Sequence, residues 1–249
     1  MDRRALLLSL LAGPVLLGDS AADAAADVAG QGDRPDPSVY IPKAHVVEDR
    51  TFLHAFMDEF SFVDLVTTTP TLRITHIPSV LDRAKGKFGT IFGHISQQND
   101  QKKAIVSGER AVVVFRGPHG YVSPGWLVTP ASRGGVPTWN FAVVHATGRM
   151  VPIDEPERKH ALLATLIKKY ETKIGGTDYD FAKLDMTDVL TRMKGIQPFE
   201  LEIASLEGKF KLFQERPEPD RQAMLPKLEV YKERSLTAFT EYFYQAAPK

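Results

Sequence analysis

Phe62-Val63-Asp64-Leu65-Val66-Thr67-Thr68, Leu72-Arg73-Ile74-Thr75-His76-Ile77 and Gly89-Thr90-Ile91-Phe92-Gly93-His94-Ile95 are three short runs rich in β-branched and aromatic residues. Thr69-Pro70 interrupts the first pair, and Asp82-Arg83-Ala84-Lys85-Gly86 the second. Strand formers bounded by turn formers predict short β-strands. Two more runs of this kind follow, Ala111 to Arg116 and Phe141 to Thr147. Five strands at such spacing predict a barrel.

Helical patterns surround this block. Phe52, Leu53, Phe56, Met57 and Phe60 recur at helical spacing behind the acidic pair Glu48 and Asp49, which predicts one amphipathic helix. Leu162, Leu163, Leu166, Ile167 and Tyr170 form a second stripe, and Phe181, Leu184, Val189, Leu190 and Met193 a third. Two strand-like runs, Phe199 to Ala204 and Lys209 to Phe213, precede a last helical stretch from Glu233 to Gln245. The expected class is α+β: one β-barrel with flanking helical insertions and a helical tail.

Composition narrows the function. Thirty-one Lys plus Arg balance thirty-one Asp plus Glu, so no long-range field recruits nucleic acid, and a DNA-coating role is disfavoured. The chain has no cysteine, which excludes disulfides, thiolate nucleophiles, Cys-ligated zinc, iron–sulfur clusters and a lipoprotein anchor.

The N-terminus carries its own signal. Met1-Asp2-Arg3-Arg4, an apolar run from Ala5 to Gly18, and the small residues Ala22 to Ala26 follow the order of a secretory signal peptide. The apolar run is shorter than the roughly 20 residues of a membrane-spanning helix, and Gly13-Pro14 interrupts it. Arg3-Arg4 before Ala5-Leu6-Leu7 resembles a twin-arginine signal, although Asp2 stands where Ser or Thr is usual. The expected organisation is a signal peptide over 1–26, a linker over 27–38 and the barrel domain over 39–249, with a periplasmic mature protein and no membrane span in it.

Local motifs exclude several chemistries. No strand leads into a phosphate-cradling glycine loop, and Gly117-Pro118-His119-Gly120 opens no helix. The seven histidines form no helical metal pair, and no Gly-x-Ser-x-Gly elbow surrounds Ser123. What remains are polar strand ends. Thr75-His76-Ile77-Pro78 and Gly93-His94-Ile95-Ser96-Gln97-Gln98-Asn99 would, as neighbours, bring hydroxyl, imidazole and amide groups to one rim. Such a rim either binds a phosphate or heteroaromatic edge or merely satisfies turn backbone. Trp126 and Trp139 flank a Pro-Gly-rich connection, which suits packing, an interface or a shelf for a ring.

These motifs, in this order, resemble the PaiB-like family of FMN-binding negative transcriptional regulators. Tyr40-Ile41-Pro42-Lys43 resembles the family's Met-Tyr-x-Pro, Thr75-His76-Ile77-Pro78 its Thr-His-Leu-Pro, and Gly93-His94-Ile95 with Asn99 its Gly-His-Ile-Ala-Arg-x-Asn. Phe115 to Pro124 with Trp126, Val136 to Phe141 with Val144-His145, and Gly208 to Leu212 with Gln214 complete the set, which covers Tyr40 to Arg221. The resemblance implies a split β-barrel of the FMN-binding type and a homodimer with FMN at the shared interface. It further implies cofactor contacts from His76, His94, Ser96, Gln97 and Asn99, with Trp139 and Asn140 approaching from the partner subunit.

Three features depart from the family. Gln97 replaces an arginine and removes a phosphate-pairing charge. Phe213-Gln214-Glu215 stands where the family has Ser-Gln-Asn, and the leader is foreign to a cytoplasmic repressor. The expectation is therefore an exported FMN-binding protein with weakened flavin affinity, an oxidoreductase if catalytic and with no substrate assigned. A binding module that has lost flavin, and a haem-binding barrel suggested by the seven histidines, are the alternatives.

Overall fold

The structure is a computed structural model that describes residues 37–231 together with Glu241 and Tyr244. The expected signal peptide, nearly all of the expected linker and most of the expected C-terminal helix lie outside the described residues. The linker's last residue is already anchored, because the Ser38 amide and hydroxyl both donate to Glu207 Oε2, at 3.1 and 2.6 Å.

Among the described residues the strands are β1 (Val46–Val47), β2 (Phe62–Thr67), β3 (Arg73–Pro78), β4 (Val80–Asp82), β5 (Thr90–Ser96), β6 (Arg110–Val122), β7 (Thr138–Pro152) and β8 (Ile196–Lys211). The helices are α1 (Arg50–Glu59), α2 (Lys102–Val106), α3 (Pro130–Arg133), α4 (Pro156–Lys173), α5 (Met186–Met193) and α6 (Glu218–Met224), joined in places by short 3₁₀ turns. The sheet runs in the order β3-β2-β6-β7-β8-β5-β4, with β1 added on β8. Pairings β1–β8, β2–β3, β2–β6, β4–β5 and β5–β8 are antiparallel. This α+β fold is the split-barrel class that the strand spacing and the resemblance anticipate.

The chain resolves into two compact units that share its three longest strands. Among the described residues the first contains 37–56, Arg116–Val144 and the segment from Glu207 onward, and the second contains Met57–Phe115 and His145–Leu206. Phe52, Phe56 and Phe210 centre the first core, the two helical rings meeting Phe210 edge-on at 5.5 and 5.1 Å. Phe115, Phe199, Leu65, Ile91 and Leu201 are fully buried in the second.

In the second unit the sheet curls back on itself. β3 and β5 are separated by four strands in the sheet order, yet a Cβ on Gly93 of β5 would lie 3.0 Å from Ile77 Cδ1 of β3. Register places Asp64 of β2 opposite His76 of β3.

Two local results differ from the sequence reading. Phe199–Ala204 and Lys209–Phe213 fuse into the single strand β8, because Gly208 continues the strand where it would otherwise mark a turn. A Cβ there would lie 2.5 Å from Leu53 Cδ2 and 2.7 Å from the Val47 carbonyl, so glycine serves a close approach. β6 runs through Gly117-Pro118-His119-Gly120 for the same kind of reason: a Cβ on Gly117 would reach the Phe56 ring at 2.6 Å. Helix α1, capped by Asp49 Oδ1 accepting from the Phe52 amide at 2.7 Å, is the expected amphipathic helix: Phe52, Leu53, Phe56 and Met57 are buried, whereas Arg50, Thr51, Asp58 and Glu59 are not.

Around the end of β8, Phe213 adopts φ 67° and is buried at 3% exposure. Gln214 holds that turn by accepting from the Leu212 amide at 2.7 Å and donating to the Ala44 carbonyl at 2.8 Å, and Glu215 faces His45 at 3.6 Å. One of the family departures, Glu215, thus faces a histidine of the Lys43–His45 turn. Asp220 of α6 is fully buried and accepts from the Val128 and Thr129 amides, both at 2.8 Å, and from the Thr129 hydroxyl at 2.6 Å. Burial alone would push its carboxyl upward, but the hydrogen bonds from Ser132, Thr129 and Val128 outweigh it and hold the group well below the usual carboxylate range. This clamp fixes the segment that follows Trp126.

Candidate functional site

The polar strand ends of the second unit do converge. Asn99 Nδ2 donates to Thr75 Oγ1 at 2.9 Å, so the end of β5 is tied to β3. Behind both lies Gln101, fully buried, which sequence reading did not single out. Its amide nitrogen donates to the Leu65 carbonyl at 3.1 Å, Thr67 Oγ1 at 3.0 Å and the Arg73 carbonyl at 3.3 Å, and its oxygen accepts from the Thr75 hydroxyl. Asn99 Oδ1 accepts in turn from the Gln101 amide at 2.9 Å. The network spends the hydrogen-bonding capacity of Thr75 and Asn99 on fixing the rim. A buried amide so fully used pins three chain segments at once.

Gln97 is used the same way. Its Nε2 donates to the Ile196 carbonyl at 2.9 Å and to Gln197 Oε1 at 3.3 Å, stitching the end of β5 to the start of β8. Ser96 is exposed and its hydroxyl accepts from the Gln98 amide at 3.2 Å. His76 is exposed and its Nδ1 bonds Asp64 Oδ1. A ring nitrogen facing a carboxylate donates to it, so Nδ1 is the atom that ties the ring to β2. Asp64 is a second residue the sequence reading missed; only the β2–β3 register reveals it.

His94 stands apart. It is half-buried on β5, and its Nδ1 is buried without a hydrogen-bond partner. Desolvation holds its pKa below the ordinary histidine value, so the ring is neutral at physiological pH. A neutral imidazole with an unengaged nitrogen can donate to, or accept from, a ligand's heteroaromatic edge.

In the first unit, Trp139 is 50% exposed and is braced by His119 at 5.6 Å and, edge-on, by Tyr121 at 6.4 Å. Asn140 is fully buried; its Nδ2 donates to Met224 Sδ at 3.5 Å, and its Oδ1 has no partner. Trp126 closes a short 3₁₀ turn opened by Ser123 Oγ, which accepts from the Gly125 amide at 3.2 Å. Among the described residues, no group of three or more His, Asp and Glu could hold a metal ion, and no helix is long and apolar enough to cross a membrane.

Comparison with known proteins gives these motifs a context. A family model described as “Putative FMN-binding domain” matches residues 39–205. The chain is 31% identical over 192 residues to the Bacillus subtilis protein named protease synthase and sporulation protein PAI 2, covering 77% of this chain and 89% of that one. It is 27% identical over 187 residues to an Emericella nidulans protein of undescribed role, covering 63% of this chain and 74% of that one. A solved FAD- and haem-binding protein from Mycobacterium smegmatis aligns at 13% identity and a TM-score of 0.47, over 71% of this chain and 76% of that one.

Proposed function

The chain belongs to the PaiB-like FMN-binding family, and from that premise we propose that it is a flavin-binding protein working as a homodimer, exported and redox-active. The single observation that carries the flavin reading is the unpartnered, buried Nδ1 of His94 on the family's Gly-His motif. Buried polar atoms are nearly always paired, so an orphan at a motif position marks where a ligand belongs.

The residues present fit FMN in kind. His94 supplies a hydrogen bond to the ring edge. The exposed Ser96 would offer its hydroxyl to the phosphate, Gln97 and Asn99 would hold the strand ends that carry it, and His76, held by Asp64, would add a polar group. The half-exposed Trp139 would complete the ring's surroundings from a second copy of the chain, and Asn140, fully buried beside it, would support that strand from within its own core. Bound FMN would supply reversible electron transfer at its ring. The chain's part is to orient that ring, exclude water from it, and keep His76 fixed by its Nδ1 hydrogen bond to Asp64. With Gln97 neutral, the phosphate lacks an arginine's charge-assisted bond, so affinity should be weaker than in arginine-bearing relatives.

The dimer proposal draws on exposed apolar side chains in each unit: Tyr40 at 81% and Val136 at 85% in the first, Phe62 at 67% and Leu72 at 65% in the second. Exposed apolar residues in such numbers favour a covered surface. The export proposal draws on the leader sequence, and replacing Arg3 and Arg4 by Lys should block it if the route is twin-arginine. A cytoplasmic, uncleaved product from the unmodified chain would overturn export. Visible absorption of the purified protein tests the flavin reading directly: flavin bands on adding FMN support it, whereas a Soret band or no uptake contradicts it.

A further inference from the structure

The strand that carries Trp139 is supported from behind by α6, and α6 is gripped in turn by a residue near the end of the chain. Asn140 Nδ2 donates to Met224 Sδ at 3.5 Å. One turn earlier on the same helix, the Arg221 guanidinium lies over the Tyr244 ring at 5.0 Å, and Arg221 Nε is buried without a hydrogen-bond partner. The Tyr244 hydroxyl donates to the Leu212 carbonyl just past the end of β8. Tyr244 thus joins that turn to α6, and α6 joins Asn140. Burial pushes the Tyr244 phenol up against the opposing pull of Arg221, and Glu215 adds to the rise, so the hydroxyl keeps the proton it donates.

The seat for this ring is held by other groups. Gln214 accepts from the Leu212 amide at 2.7 Å and donates to the Ala44 carbonyl at 2.8 Å, while Asp220 ties the start of α6 to the Val128 and Thr129 amides. Phe213, at φ 67°, and Glu215 flank Gln214 in this turn, and both are positions where the chain departs from the family motif. A preorganised seat takes its ring at little ordering cost. Asn140 and Trp139 are consecutive on β7 and point to opposite faces, the first fully buried and the second half-exposed, so whatever holds Asn140 inward also sets how Trp139 faces outward.

We infer that Tyr244 is a positioning residue for the Trp139–Asn140 segment: by holding Arg221 of α6 against the Leu212 turn, it keeps Met224 on Asn140 and fixes how Trp139 is presented. Its effect on FMN rests on the flavin reading above, whereas its hold on the strand does not.

Amide hydrogen exchange followed by mass spectrometry on the purified full chain, Tyr244→Phe and Tyr244→Ala tests the inference, with thermal melts and FMN titrations of the same three proteins. Tyr244→Ala should speed exchange about threefold or more over residues 138–141 and 212–216 while the second unit exchanges as before. Tyr244→Phe keeps the ring on Arg221 and should fall between the other two. FMN should bind about fivefold more weakly to Tyr244→Ala, and saturating FMN should slow exchange over 212–216 in the unmodified protein, because coupling between two sites is reciprocal. Unchanged exchange over 138–141 in Tyr244→Ala overturns the proposal. So does faster exchange across both units with a lowered melting temperature, which would make Tyr244 a general stabiliser. FMN that binds all three proteins equally overturns it too, because Trp139 would then be presented without help from Tyr244. If no protein takes up FMN while the local exchange pattern appears, the flavin reading falls and the positioning role stands.

Discussion

The rim of the second unit and the Trp139 face of the first are both built from motif residues, but they treat their polar groups in opposite ways. At the rim, Thr75, Asn99, Gln101 and Gln97 spend their hydrogen bonds on one another and on backbone carbonyls, leaving His94 Nδ1 unpartnered. On the other face, Lys209 and Lys211 meet no carboxylate among the described residues and Trp139 is half open to solvent. A satisfied polar group is scaffold; an unsatisfied one beside it is where a ligand gains free energy. Membership of a motif therefore does not make a residue a contact, and the rim's amides act chiefly by placing His94.

That distinction can be broken most forcefully at Gln101. Gln101→Leu would strand the Leu65 and Arg73 carbonyls and Thr67 Oγ1 without their donor, and should destabilise the fold by about 1 to 3 kcal/mol in chemical denaturation. It should also loosen FMN binding although Gln101 is fully buried and touches no ligand. A variant with unchanged stability would show that the network does not hold the rim.

Gln97→Arg sharpens the comparison from the other side. If the position faces the phosphate as well as β8, an arginine should tighten FMN about tenfold, or about 1.4 kcal/mol, and the gain should shrink with added salt. Tight binding that the substitution leaves untouched would make Gln97 a strand stitch alone, bonded only to Ile196 and Gln197.

The smallest effect concerns pH. Burial keeps the folded-state pKa of His94 below its ordinary value, so as pH falls through the normal histidine range the unfolded chain takes up a proton that the folded one resists. Stability should decline over that window, and the decline should be shallower in His94→Gln. Thermal melts of both proteins from neutral to mildly acidic pH measure it; parallel curves would mean that His94 is not desolvated.

Much of this architecture was legible in the sequence where turn chemistry is explicit. Thr69-Pro70 and Gly86 bracket β2, β3 and β5, whose predicted limits lie within a residue or two of the observed ones. Glycines misled where they serve proximity instead of turning: Gly208 and Gly117 lie inside β8 and β6 because a side chain there would strike Leu53 or Phe56. The site was partly legible. Motif order brought Thr75 and Asn99 together correctly, but Asp64 opposite His76 depends on strand register, and the role of Gln101 depends on three carbonyl and hydroxyl positions that no linear spacing encodes. Which lysines lack a carboxylate is likewise a property of the fold alone.

The central claim, that this chain holds FMN through the one unpartnered imidazole of its rim, is tested most directly by titrating FMN into the purified protein and His94→Leu while following flavin fluorescence. The account predicts saturable binding by the unmodified chain and a loss of about tenfold or more in His94→Leu, the value of one hydrogen bond to a buried polar group. No saturable binding by the unmodified chain, or equal affinity in the two proteins, would contradict it.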